Sequence, residues 1–487
     1  MALQRYKYQI ARMPCHGALQ YLHGIFAEVV ANNFLVPSKA FLNPYELAAV
    51  SNYIAMFGST SKKKQDHFNL SETLNALKSL WTHAEQDSAY SDDPDHAATF
   101  VLKWVYQQIP YHVHPLRVVK VWSIMKSLIS DPDVSSVMEQ HLNISGSRFA
   151  TATMRIMGQF QKAPFYPESD LLRAGDSPDI WTTLKHLSAD RPKRLAFHRA
   201  KLERTEPREK PYEINSLLRY PIIHEKGQYL APYPELIGYA GTRGLFFRLS
   251  QEAGDHFRDP FVRAFERLTA DMLRDHVLGS EILTEQDERD LGWAGKTNDV
   301  TLISADTAVL VECKLSGLFV EAKMSAAPEA IIADVKKQIA DGKDRRGLFQ
   351  LHDKIAAIRS GRLPAALSQK YAKVTSFYPV LLLFDAIEHA NAPLMIGNMI
   401  RDQLSAHGVS GFQYQIWHVE ELSWLIDLAG PSLIEWVTEK FSPTSYVFGL
   451  NTFLGKKTNQ MIFQPPMYMP QNTRAFDILK RLSDLEN

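Results

Sequence analysis

The sequence predicts an α/β protein in which a mainly helical N-terminal domain precedes a mixed-sheet domain. Three observations carry that expectation. The chain has 487 residues, more than one hydrophobic core usually serves, so at least two folding units are expected. Helix caps and helical apolar stripes dominate the first 190 or so residues. Strand-like and helix-like segments alternate after about residue 210, as in an α/β domain.

In the first part, Asn43-Pro44-Tyr45-Glu46 combines a capping asparagine, a proline suited to the first helical turn and a glutamate placed to return a hydrogen bond. A helix is expected there. Asn69-Leu70-Ser71-Glu72 repeats the logic, and Leu70, Leu74, Leu77 and Trp81 follow at helical spacing. Leu19, Leu22, Phe26 and Val29 draw a similar stripe, best read as core. The acidic, proline-bearing segments Asp92–Asp95 and Pro164–Asp170 predict loops. Tyr220–Ile223 and Tyr229–Pro232 flank Lys226-Gly227 as in a hairpin. Later expectations are a helix over about 260–277, strands near 282, 299–303 and 309–314, helices near 328–341 and 347–359, and strands at 379–384 and 412–417. The expected division is a helical domain with basic linker over 1–210, an α/β domain over 211–440 and a C-terminal extension over 441–487.

Composition narrows the class. Lys and Arg number 54 and Asp and Glu number 54, which excludes the strongly basic signature of a passive nucleic-acid coat. Any nucleic-acid surface must be local. The basic stretch Arg191–Lys210, led by Arg191, Lys193 and Arg194, fits either a solvated helix and linker or a phosphate-contacting surface. Two cysteines, Cys15 and Cys313, lie far apart in a chain with no basic-then-apolar leader, so a reducing cytoplasm is expected. No apolar run approaches the roughly 20 residues that cross a bilayer, and no membrane association is expected.

The chemistry concentrates in Asn298-Asp299-Val300-Thr301-Leu302-Ile303, a turn around Ala305-Asp306, and Val309-Leu310-Val311-Glu312-Cys313-Lys314. With a two- or four-residue loop centred on that turn, Asp299 falls opposite Glu312. A five-residue loop would shift the register by one. Because strand side chains alternate, Lys314 shares the face of Glu312 while Val311 and Cys313 point the other way. Glu321–Lys323, Asp334–Lys336 and Asp341–Lys343 have the same acid–lysine spacing; what sets Glu312–Lys314 apart is its apolar strand and the acid across the turn. Two carboxylates and a lysine suit phosphodiester hydrolysis with magnesium, a cation that prefers oxygen ligands.

On these residues the chain resembles the restriction-endonuclease-like superfamily of PD-(D/E)xK nucleases. Asp299 matches its first acid and Glu312-Cys313-Lys314 its acid-x-lysine, while Asn298 stands where the pattern has proline. The resemblance spans about 215–425. It implies Asp299 and Glu312 as metal ligands, Lys314 as catalytic lysine, and Glu266 as a supporting acid and ligand, unless Glu266 is simply a core-helix residue. It also implies a polar residue on the following helix, for which Gln338 is preferred over Asp334 and Lys337. The cofactor implied is Mg2+ or Mn2+, the substrate DNA, and the setting defence against foreign DNA, as in large prokaryotic members. An RNA-cleaving enzyme, and a non-catalytic binding module that keeps the fold, remain alternatives. A homodimer and a protein partner engaged through the N-terminal domain are further expectations.

Other motifs are weaker. His112-Val113-His114 lacks a third zinc ligand, Cys15-His16 with His23 lacks a cysteine partner, and Gly241-Thr242-Arg243-Gly244 lacks the lysine of a phosphate loop.

Overall fold

The computed structural model describes residues 10, 13, 15–31, 44–58, 115–174, 178–204, 215–277, 279–316, 328–385, 392–446 and 448–459. The fold is mixed α/β, mostly helical, with two mixed sheets. Among these residues no helix is long and apolar enough to cross a membrane. The expected helix at Asn69, the loop at Asp92 and the His112–His114 pair lie outside them.

The described residues fall into two compact units divided between Arg258 and Asp259. The expected boundary near 210 falls elsewhere for a physical reason. Strand β2 (Ser188–Ala189) pairs in parallel with β3 (Ile222–Glu225), so one sheet holds both sides of that point together.

The first unit includes helices α1 (Cys15–Ala31) and α2 (Pro44–Phe57), whose start at Pro44 matches the proline expected in the first turn. Leu19, Leu22 and Phe26 are buried and join Leu47, Val50 and Ile54 of α2 in one core. The four-stranded sheet runs β1 (Phe165–Pro167), β4 (Gln228–Leu230), β3, β2. The β3–β4 hairpin turns at Lys226 and Gly227, both with positive φ, a conformation that glycine adopts without strain. Residues 164–170 are not a loop: Phe165–Pro167 pairs antiparallel with Gln228–Leu230, and a helix follows at Glu168–Ala174 with Glu168 and Asp170 in its first turn, where acids favour the helix dipole.

The second unit is built on a five-stranded sheet in the order β5 (Glu281–Thr284), β6 (Val300–Ser304), β7 (Thr307–Ser316), β8 (Ser376–Asp385), β9 (Gln415–His418). β5, β6 and β7 are antiparallel neighbours, and β8 and β9 continue in parallel with β7. Helix α3 (Asp255–His276) precedes the sheet; Phe261 and Phe265, one turn apart, set their rings edge-on to Phe384 at 5.0 and 6.0 Å. Val380–Leu383 of β8 are buried, as a continuous apolar parallel strand should be. Helices α4 (Pro328–Ile339) and α5 (Leu348–Arg359) lie between β7 and β8 in the chain. The unit does not end at 440. The buried Lys440 donates to Gln415 Oε1 at 2.6 Å, and Tyr414 N–H donates to the Tyr446 hydroxyl at 3.0 Å, so the start of the expected extension is part of this unit.

Candidate active site

The β6–β7 hairpin turns over Ala305 and Asp306, and its ladder pairs Val300 with Val311 and Ser304 with Thr307. Asp299 is the residue immediately before β6, one step beyond the Val300–Val311 pair at the end of the ladder away from the turn. Its carboxylate does not simply face Glu312: Asp299 Oδ2 accepts the Cys313 N–H at 2.6 Å, which ties it to β7 one residue further on. Its carbonyl accepts from Glu285 N–H at 3.1 Å.

Alternation along β7 then separates the side chains as strand geometry requires. Cys313 Sγ contacts Thr269 Oγ1 of α3 at 3.6 Å, on one face. On the other, Glu312 Oε1 accepts from Lys314 Nζ at 2.6 Å and Glu312 Oε2 from Gln350 Nε2 of α5 at 2.9 Å. Glu312 is only 2% exposed, whereas the Lys314 side chain keeps 26%. The lysine is the member of the pair that reaches solvent.

Glu266, next to Phe265 on α3, joins this group through its field. Burial, then the charges of Asp299 and Glu285, push its carboxyl up from an ordinary 4.5 to about 7. Burial raises Asp299 from 3.8 to about 6, against the pull of Lys314 and the Cys313 N–H. Burial and the Asp299 charge also push Glu312 up. Lys314 moves upward too: the carboxylates of Glu312 and Asp299 outweigh its burial and hold it as an ammonium. Three acids therefore share one lysine, and burial makes each of them harder to ionise despite its pull.

A second buried polar group supports the loop that carries Asp299. Glu288 accepts from Lys354 Nζ at 2.5 Å, from Tyr371 OH at 2.8 Å and from Thr297 Oγ1. Asn298 is buried and donates through Nδ2 to Val300 O at 2.7 Å and Thr301 Oγ1 at 2.9 Å. Gln350 Nε2 also donates to Thr297 O, so one amide holds both this loop and Glu312.

Gln350 is the functional candidate that sequence reasoning missed. Gln338 instead donates to Asp334 one turn back on its own helix, at 3.3 Å, and among the described residues makes no hydrogen bond to Glu266, Asp299 or Glu312. The signal available was position: Gln350 stands in the first turn of α5, whose Leu348, Phe349 and Leu351 are buried against the unit's core.

The basic stretch divides. Arg194 is 0% exposed and donates to the carbonyls of Ala189, Tyr220 and Ile222 and to Ser216 Oγ, which makes it a strut between β2 and β3 and removes it from any phosphate surface. Arg191 donates to Gly58 O at 2.9 Å and lies 3.6 Å from Glu225. Lys193 alone of the three is exposed, with Nζ 4.4 Å from the centre of the Tyr220 ring. Cys15 contacts Glu225 and His23 contacts Phe160 O, so they do not converge.

Among the described residues no group of three or more His, Cys, Asp or Glu donors is drawn into a ready metal cage. The donor set nonetheless fits a hard divalent cation: Glu266, Asp299 and Glu312 offer oxygens, and a cation beside them would offset the burial and the mutual repulsion that raise their pKa values. No protein-family model matches the chain, and no curated protein or solved structure matches it either.

Proposed function

We propose that this chain is a Mg2+- or Mn2+-dependent nuclease that hydrolyses phosphodiester bonds of DNA. The observation that carries the reading is the meeting of Asp299, Glu312 and Lys314 at one end of the β6–β7 hairpin, with Glu266 of the preceding helix raised by burial and by the Asp299 charge. An acid on one strand and an acid-x-lysine on the next is the pattern by which the sequence resembles the restriction-endonuclease-like superfamily, and defence against foreign DNA follows from that resemblance alone.

The residues divide the work by their surroundings. Asp299 and Glu312, with Glu266 beside them, would hold the cation, which when bound lowers the pKa of a coordinated water and shields phosphate charge. Lys314 Nζ, held as an ammonium and partly open to solvent, is placed to donate to an oxygen of the pentavalent phosphorus. Before a cation binds, burial and the Asp299 charge hold the Glu266 carboxyl up at about 7, and a bound cation would favour its ionised, ligating form. Gln350 orients Glu312 without needing to touch the substrate.

A non-catalytic nucleic-acid-binding module is the second reading, and one observation favours it. Both Glu312 oxygens already accept hydrogen bonds, so a cation must displace Lys314 or Gln350 from one of them or use a remaining lone pair. The deciding experiment is plasmid cleavage by the purified protein with magnesium, manganese or chelator, beside Lys314→Ala, with a single-stranded RNA in parallel. Metal-dependent nicking of DNA lost in Lys314→Ala supports the enzyme. Binding without cleavage under every metal supports the module, and preferential RNA cleavage replaces the substrate.

A further inference from the structure

The first unit gathers Lys193, Arg219 and Arg248 beside two acids, Glu252 and Asp190, an excess of one positive charge. Arg219, at the end of the short helix Ser216–Arg219, and Arg248, on the helix Arg243–Glu252, both bond to one carboxylate. Arg219 Nη2 donates to Glu252 Oε1, and Arg248 Nε donates to Glu252 Oε2 at 3.3 Å. Lys193 stands over the Tyr220 ring at 4.4 Å, and the Arg219 guanidinium lies 5.7 Å from the centre of the same ring. Asp190, the nearest acid in sequence to Lys193, accepts the Lys193 backbone N–H through Oδ1 at 2.9 Å and adds a second negative charge to the group.

The cluster is also held in place. His186 Nε2 lies 2.9 Å from Leu142 O, and Arg248 Nη2 lies 3.0 Å from His186 Nδ1, so the ring donates through Nε2 and accepts through Nδ1. Burial and the Arg248 charge lower the His186 imidazole from its ordinary 6.5, in keeping with an Nδ1 that accepts. Arg248 Nη1 donates to His186 O at 3.1 Å as well, which fixes the guanidinium. Arg219 Nε is buried and makes no hydrogen bond among the described residues. Two guanidiniums thus share the Glu252 carboxylate, partly withdrawn from water and aligned before any ligand arrives, and Lys193 lies against the same Tyr220 ring that Arg219 approaches. Guanidinium forks suit phosphate oxygens, and ordering the side chains in advance lowers the entropy cost of using them.

We infer that Lys193, Arg219 and Arg248, set around Tyr220 and steadied by His186, form a phosphodiester-binding surface through which the first unit holds the backbone of DNA. This rests on the reading of DNA as substrate. It places the contact at residues that lie apart in sequence and excludes Arg194.

The test uses the full chain, a short fluorescent DNA duplex and excess chelator, so that binding is read without cleavage. Each phosphate contact removed should lower the slope of log affinity against log salt by about 0.9. Lys193→Gln should lower it by about 1, and Lys193→Gln with Arg219→Gln by about 2, while the exposed Lys162→Gln leaves it unchanged. Lys193 is exposed, so its single variant tests the surface even if the double variant fails to fold. Unchanged slopes in Lys193→Gln, an equal fall in Lys162→Gln, or no duplex binding by the parent chain would overturn the inference. A slope that falls as expected in a protein that cuts nothing would retain this surface and refute the nuclease; cleavage with unchanged slopes would do the reverse.

Discussion

Two glutamate–lysine pairs lie in the second unit, and the contrast between them shows what makes such a pair structural or functional. Glu288–Lys354 and Glu312–Lys314 have nearly the same separation, 2.5 and 2.6 Å, and both glutamates are buried. Around Glu288 the account closes. Lys354 is fully buried between the rings of Trp293 and Tyr371, and two hydroxyls complete the shell of the carboxylate. Around Glu312 it stays open: Asp299 and Glu266 add negative charge that Lys314 cannot neutralise alone, and that lysine keeps contact with water. A closed pair fixes a fold, while an open one leaves charge unbalanced, and on the proposed function that is where a cation and a phosphate would be held.

The largest expected effect falls on the closed pair. Lys354→Met should destabilise the protein by about 3–5 kcal/mol, because it leaves Glu288 buried without its cation. Adding Glu288→Gln should recover much of that loss in urea unfolding. A loss below about 1 kcal/mol in the single variant would mean that the pair is not the strut described.

Lys314→Ala should reverse the pattern, with cleavage falling about 100-fold to 1,000-fold while manganese binding, read by calorimetry, persists. Asp299→Ala should instead lose metal binding and cleavage together, with duplex binding retained. Full activity in Lys314→Ala would dissolve the contrast between the pairs.

A smaller change is expected from Gln350→Leu, which removes the amide that joins Glu312 to Thr297. Cleavage should fall about 10-fold to 100-fold, and the loss should be concentrated in kcat or metal affinity, with little change in duplex binding. Gln338→Leu should be near neutral for cleavage, since its amide turns to Asp334. Equal losses in the two variants would remove Gln350 from its positioning role.

The smallest effect is a pH slope. Glu266 and Asp299 bind protons more tightly in the folded chain, at about 7 and about 6, than at their ordinary 4.5 and 3.8. Their contribution to stability is therefore full below about pH 4 and is lost as pH rises through 6 to 7. Melting temperatures in chelator should show this loss between pH 5 and 8, and Glu266→Gln should lessen it. Manganese should lessen it too, by favouring the ionised carboxylates. A slope identical in the parent and in Glu266→Gln would remove Glu266 from the charge cluster.

Much of the site was legible because it is local. The turn at Ala305-Asp306 and the period of a strand together dictate the ladder of the hairpin, and alternation alone separates Glu312 and Lys314 from Cys313. The helix carrying Glu266 was legible from its apolar spacing. Segments shorter than one helical turn or a few strand residues were not: Phe165–Pro167 forms a strand only because Gln228–Leu230, sixty-odd residues away, offers it an edge.

By itself, then, the sequence determined the mixed α/β class, the strands of the second sheet and the spacing of Asp299, Glu312 and Lys314, since turn geometry and side-chain periodicity act over a few residues. Tertiary structure alone decided which polar side chain meets Glu312, choosing Gln350 over Gln338, and it made Arg194 an internal strut while leaving Lys193 at the surface. It also brought Arg219 and Arg248 to a single carboxylate. Burial and charge balance at a residue depend on segments distant in the chain, and no local pattern encodes which of them will fold against it.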